Sequence, residues 1–105
     1  MKAQVEHGVA VLLRGRISRY DTRRLKIYGS ARKHGVADPD MVHAVEHALT
    51  VGEQDDGKVL YLGPDRAGNL LEVVTVAITD GSEIVIHAMS MRSKYEPFLR
   101  GEGES

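Results

Sequence analysis

The chain has 105 residues, 42% of them apolar and 28% charged, with a formal net charge of −1. That length supplies one modest core, too little for a catalytic domain plus a separate binding domain, and the composition is ordinary for a globular protein. The absence of cysteine excludes a disulfide framework, a thiolate zinc site and a cysteine nucleophile, and is compatible with a reducing cytoplasm.

No stretch reads as a membrane span. The Val9–Leu13 run is too short for the apolar region of a signal peptide, and Arg14, Arg16 and Arg19 follow where a small-residue cleavage site should lie. Charge is unevenly spread. Residues 1–24 hold six Lys or Arg (Lys2, Arg14, Arg16, Arg19, Arg23, Arg24) against Glu6 and Asp21, a balance of +4 that leaves −5 on residues 25–105. Such asymmetry reads as a basic arm on a mildly acidic domain, fit for a nucleic acid or an acidic partner, or simply as a solvated extension.

In chain order, Ser30–His34 followed by Gly35 predicts a short helix closed by a glycine in the left-handed conformation. A firmer helix follows. Asp38 is placed as its N-cap and Pro39 as its first residue, and Val42, Val45 and Leu49 repeat at helical spacing beside Met41, Ala44 and Ala48. Gly52 and the acidic Glu53–Gly57 segment should end this helix in a surface turn. Three strands are predicted next: Lys58–Leu62, Leu70–Thr79 and Glu83–Met89, joined by the turn-forming residues Gly63–Asn69 and by a hairpin at Asp80-Gly81. Alternation sends Ile84, Ile86 and Ala88 to one face of the third strand and Val85, His87 and Met89 to the other. The helix is expected on the Ile84/Ile86 face. Ser93–Leu99 forms a last helical turn near Pro97, and residues 100–105 a flexible tail. The expected fold is α+β, with two N-terminal helices packed on a three- or four-stranded antiparallel sheet.

Chemistry concentrates where the third strand ends. His87 sits on a β-branched strand, and Arg92, Lys94 and Tyr95 follow within eight residues. These groups can transfer a proton, neutralise a phosphate and stack on a base.

The order of Lys33-His34-Gly35, an amphipathic helix, the Asp65–Asn69 hairpin and a strand running into Met91-Arg92-Ser93-Lys94-Tyr95 resembles the BrnT-type toxins of bacterial toxin–antitoxin modules, small members of the RelE-like ribonuclease superfamily. The resemblance covers residues 26–99, which with Leu25 make up the expected toxin domain, residues 25–99. Where the family carries Ser-Ala-Arg at the end of its last strand, this chain has His87-Ala88-Met89. The resemblance implies a RelE-like fold, cleavage of RNA without a cofactor or metal, cytoplasmic location, and a cognate antitoxin as partner, with self-association left open.

Metal-independent cleavage by a 2′-hydroxyl needs a base, a positive group for the phosphate oxygens and an acid for the leaving oxygen. His87 is the titratable candidate, Arg92 the phosphate clamp, Lys94 a point charge and Tyr95 a stacking or proton-donating group. Lys33, His34 and Arg66 are candidate RNA contacts. The bland alternatives are a partly buried core histidine, solvated cations, a helix-end lysine favoured by the helix dipole, and a solvent-facing turn arginine. On the same fold, a non-catalytic protein-interaction module is the alternative function.

A second constellation lies on the helix. His43-Ala44-Val45-Glu46-His47 matches the His-x-x-Glu-His pattern of inverted zinc peptidases, with Asp40 or Glu53 as third ligand. Such peptidases are much larger, and Asp40, His43 and His47 form a stripe opposite the apolar one, so a solvated face is expected and no metal.

If residues 1–24 stand outside the core, deleting them should leave a cooperatively folding domain whose stability changes by no more than about 1 kcal/mol in a denaturant melt. An insoluble product would instead mean that Val9–Leu13 supplies a strand.

Overall fold

The computed structural model describes residues 25–100. The basic arm of residues 1–24 and residues 101–105 lie outside the described residues. A short strand β1 (Leu25–Ile27) leads into a 3-10 turn (Gly29–Arg32) and then helix α1 (Asp38–Glu46). Strands β2 (Thr50–Glu53), β3 (Lys58–Pro64), β4 (Leu70–Ala77) and β5 (Glu83–Ser90) follow, and a 3-10 turn (Ser93–Tyr95) runs into the single-turn helix α2 (Glu96–Leu99).

The sheet corrects the expected fold. Five strands lie in the order β1-β5-β4-β3-β2. β1 pairs parallel to β5 and the other pairs are antiparallel, so the sheet is mixed. The extra strands are β1 and β2, both among residues expected to be coil or helix. Among the described residues one full α-helix precedes β3, because Ser30–His34 makes a 3-10 turn, although Gly35 does close it at φ 81°.

Helix α1 is also shorter than its apolar stripe predicts. Met41, Ala44 and Val45 are buried, whereas Leu49 falls beyond the helix and is 64% exposed. The β-branched Thr50 and Val51 instead extend to pair with Leu62 and Tyr61 of β3. At the start, Ala37 takes the N-cap and Asp38 the first turn. Asp38 accepts both Nε and Nη2 of Arg32, at 2.9 and 2.8 Å. A fork to an arginine six residues earlier thus replaces the capping bond.

Turns fix the hairpins. Asp56 (φ 67°) and Gly57 (φ 75°) both occupy the left-handed region between β2 and β3, the pairing that Asp-Gly favours. At Asp80-Gly81 only Gly81 does (φ 90°). There Gly81 N–H reaches the Ile78 carbonyl and Ile78 N–H reaches that of Ser82, a three-residue loop in place of a primed two-residue turn.

The faces of β5 differ from simple alternation. Val74 lies opposite His87 but Thr75 lies opposite Val85, leaving Ile86 as an extra residue on β5. This β-bulge lets Val85 and Ala88, three apart, both enter the core under α1. The helix therefore covers the Val85/Ala88 face and not the Ile84/Ile86 face. Leu62, Glu72 and Met89 form one cross-strand row and Leu60, Val74 and His87 the next, on the face away from α1.

Helix and sheet meet closely at Gly63. A Cβ there would collide with the Ala44 carbonyl oxygen and lie 2.9 Å from Ala48 Cα, both backbone atoms. Gly63→Ala should therefore lower stability by about 1–3 kcal/mol through overpacking, while Gly29→Ala, which meets nothing within 4 Å, should stay close to wild type. Equal denaturant midpoints for the two variants would refute this packing.

Candidate functional site

A glutamate in the middle of an apolar strand is the centre of the site. Glu72 of β4 stands between Leu71 and Val73, and its side chain is fully buried on the face away from α1. A buried carboxylate requires partners, since leaving it unpaired costs several kcal/mol. It has three. His87 Nε2 on β5 lies 2.9 Å from Oε2. Past the end of β5, the Arg92 backbone N–H donates to Oε1 at 3.0 Å, while its Nε straddles both oxygens and its Nη2 reaches Oε2 at 2.6 Å.

Burial alone pushes the Glu72 carboxyl up, but the Arg92 guanidinium, the Arg92 N–H and the His87 ring together hold it below the usual glutamate range. Glu72 in turn raises Arg92. At neutral pH Glu72 is ionised and accepts only, so His87 Nε2 must carry a hydrogen. In the neutral ring Nδ1 is then the nitrogen with a free lone pair. This is the arrangement by which a carboxylate orients an imidazole for proton transfer.

The surroundings add two more groups. His34, just past the first 3-10 turn, meets His87 edge to face, with ring centroids 5.7 Å apart. Tyr95 lies under Arg92 and Lys94, whose cationic groups are 5.9 and 5.1 Å from its ring centroid. Of the residues singled out from sequence, the structure brings together His87, Arg92, Tyr95, Lys94 and His34. Lys33 is exposed on His34's own turn. Arg66 is placed elsewhere: its N–H and Nε bind Asp40 of α1 at 3.0 and 2.8 Å, on the helix that covers the other face.

Sequence reasoning missed Glu72, the residue on which the cluster converges. The signal was a charge inside Leu70-Leu71-Glu72-Val73-Val74, a run that does not alternate. Carboxylates are almost never fully buried unless paired.

The helix histidines contact other groups. His43 Nδ1–H donates to the Pro64 carbonyl at 2.8 Å, and the His47 ring stacks on His43 at 4.2 Å. Asp40 is engaged by Arg66. Among the described residues, no three His, Cys, Asp or Glu side chains are grouped to hold a metal ion.

Breaking the Glu72–Arg92 pair has a signed consequence. Arg92 is 47% exposed while Glu72 has no exposure, so Arg92→Ala should cost near the lower end of the ~3–5 kcal/mol typical of a broken buried pair. In the wild type, the lowered Glu72 contributes stability that is present above the ordinary glutamate value of 4.5 and lost as pH falls. In Arg92→Ala burial raises the carboxyl instead, so the deficit should shrink on acidification. Denaturant melts between pH 4 and about 8 check the sign, and a deficit that grows on acidification would contradict it.

Compared with known proteins, the chain matches no family model, no curated protein and no solved structure.

Proposed function

We propose that this chain is a metal-independent endoribonuclease, the toxin of a toxin–antitoxin module, and that a cognate antitoxin protein restrains it. The observation that carries this reading is the orientation of His87 by an ionised, buried carboxylate beside an arginine. His87 Nδ1 takes the proton of a ribose 2′-hydroxyl, the oxygen attacks the adjacent phosphate, and the guanidinium edge of Arg92 turned away from Glu72 faces the charge that builds on the phosphoryl oxygens. Tyr95 and Lys94 border the phosphate site from the sequence side of Arg92. The resemblance to BrnT-type toxins supports RNA as substrate and the antitoxin as partner. Among the described residues no helix is long and apolar enough to cross a membrane, and the proposed reading places the RNA substrate in the cytoplasm.

One observation favours a second reading. Both Glu72 oxygens are already saturated by His87 and Arg92, as they would be in a purely structural network on a protein-interaction module. Cleavage separates the two readings: the nuclease cuts RNA in EDTA, and the module leaves it intact.

His87→Gln keeps an N–H that can bond Glu72 but removes the titrating ring. Loss of a proton-transfer group typically costs about 10² to 10⁴ in rate, so this variant should lose that much RNA cleavage and its growth inhibition while its stability moves by no more than about 1 kcal/mol. Full activity in the folded variant would remove His87 from the chemistry.

A further inference from the structure

Resting on the ribonuclease reading, we infer that His34 is the second proton-transfer group of the site, the acid that protonates the leaving 5′-oxygen while His87 serves as base.

Three features of the structure lead there. The first is proximity: the two imidazoles meet edge to face with centroids 5.7 Å apart, and each nitrogen needs to come only ~2.6–3.2 Å from its oxygen. In-line cleavage needs one such reach to the attacking oxygen of a phosphate group and another to its leaving oxygen, and two neighbouring rings are the groups placed to supply them. The second is how firmly the turn is held. Ala31 is buried in the core, the Ser30 hydroxyl donates to the Ile86 carbonyl at 2.9 Å, and Arg32 is forked onto Asp38 of α1. Ile86 is the bulge residue immediately before His87, so one hydrogen bond ties the segment carrying His34 to the irregularity that aims His87. Gly35 at φ 81° then turns the chain away directly after His34.

The third feature is the difference between the two rings. His87 has Nε2 committed to Glu72 and a side chain 29% exposed. His34 is exposed, and among the described residues it makes a ring contact with His87 and no hydrogen bond. The ring oriented by a carboxylate is the one suited to receive a proton and become imidazolium. The unrestrained ring can deliver one and exchange with solvent. Charged groups bordering the pair are Glu72 and Arg92 beside His87, and Lys33 on His34's own turn.

The step balances without any further reactant. His87 Nδ1 accepts the 2′-hydroxyl proton, O2′ bonds to phosphorus, and the P–O5′ bond breaks. The O5′ electron pair takes the proton from His34, leaving a 2′,3′-cyclic phosphate and a 5′-hydroxyl.

The test is a leaving group that needs no acid. An RNA oligonucleotide is cleaved by the full chain in EDTA, and the same oligonucleotide is remade with a 5′-bridging sulfur at the cleaved position, since a thiolate leaves without protonation. His34→Ala should lose about 10² to 10⁴ on ordinary RNA and less than about tenfold on the sulfur substrate, whereas His87→Gln should lose comparably on both. A thermal melt of His34→Ala should superimpose on wild type. Wild-type activity of His34→Ala on ordinary RNA overturns the assignment of His34 alone, as do equal losses on both substrates, which would make it a binding residue. Failure of the wild-type chain to cut either substrate overturns the nuclease reading and the assignment with it.

Discussion

A carboxylate with no access to water sits at the middle of the sheet, and much of the architecture follows from satisfying it. Glu72 cannot be left unpaired, so the chain leaving β5 must deliver the Arg92 N–H and guanidinium to it, and β5 must present His87 one row away. Met91 N–H bonding the Leu70 carbonyl brings Arg92 to that place. Stability alone does not account for this arrangement, because a buried ion pair replaced by well-packed apolar side chains of similar volume is often as stable or more so. The proposed site, which needs an oriented imidazole next to a fixed cation, would account for it.

The β-bulge at Ile86 is what makes core and site compatible. In an unbroken strand, Val85 and His87 would share a face, and burying one under α1 would bury the other. The extra residue breaks that coupling: Val85 and Ala88 go to the core, and His87 goes to the Glu72 face. The carbonyl of the same residue receives Ser30. A single local irregularity therefore sets the side-chain directions of β5 and anchors the turn that carries His34.

Where the sequence was legible, one local rule acted alone. The β-branched runs of β3, β4 and β5 were placed to within two residues at each end, and Pro39 marks the start of α1. The rest needed tertiary information. β1 has three residues and forms only because β5 offers a parallel edge, so no periodicity could announce it. β2 was hidden by a helical stripe that continues through Leu49, and pairing with β3 overrode it. Asp38 has the ideal chemistry for an N-cap, yet the fork to Arg32 claimed it. His87, Arg92 and Tyr95 stand out because they cluster in sequence. Glu72, 15 residues before His87, joins them only through the pairing of β4 with β5.

Net charge is a poor guide to what such a surface can bind. The chain is slightly acidic overall, but four of the described carboxylates are paired with arginines: Asp38 with Arg32, Asp40 with Arg66, Glu72 with Arg92 and Glu96 with Arg100. The remaining charges are spread over both ends of the sheet. Asp55 and Asp56 lie in the turn before β3, at the end where Lys58 pairs with Val76. Arg92 and Lys94 follow β5 at the opposite end, where Leu71 pairs with Ser90. Over a Debye length of ~8 Å at physiological salt, an anion approaching Arg92 responds to the near end of the sheet much more than to the far one. Arg92 is itself paired with Glu72, and Glu96 stands two residues from Lys94, so the whole-chain total alone decides nothing about a phosphate-bearing substrate at this face.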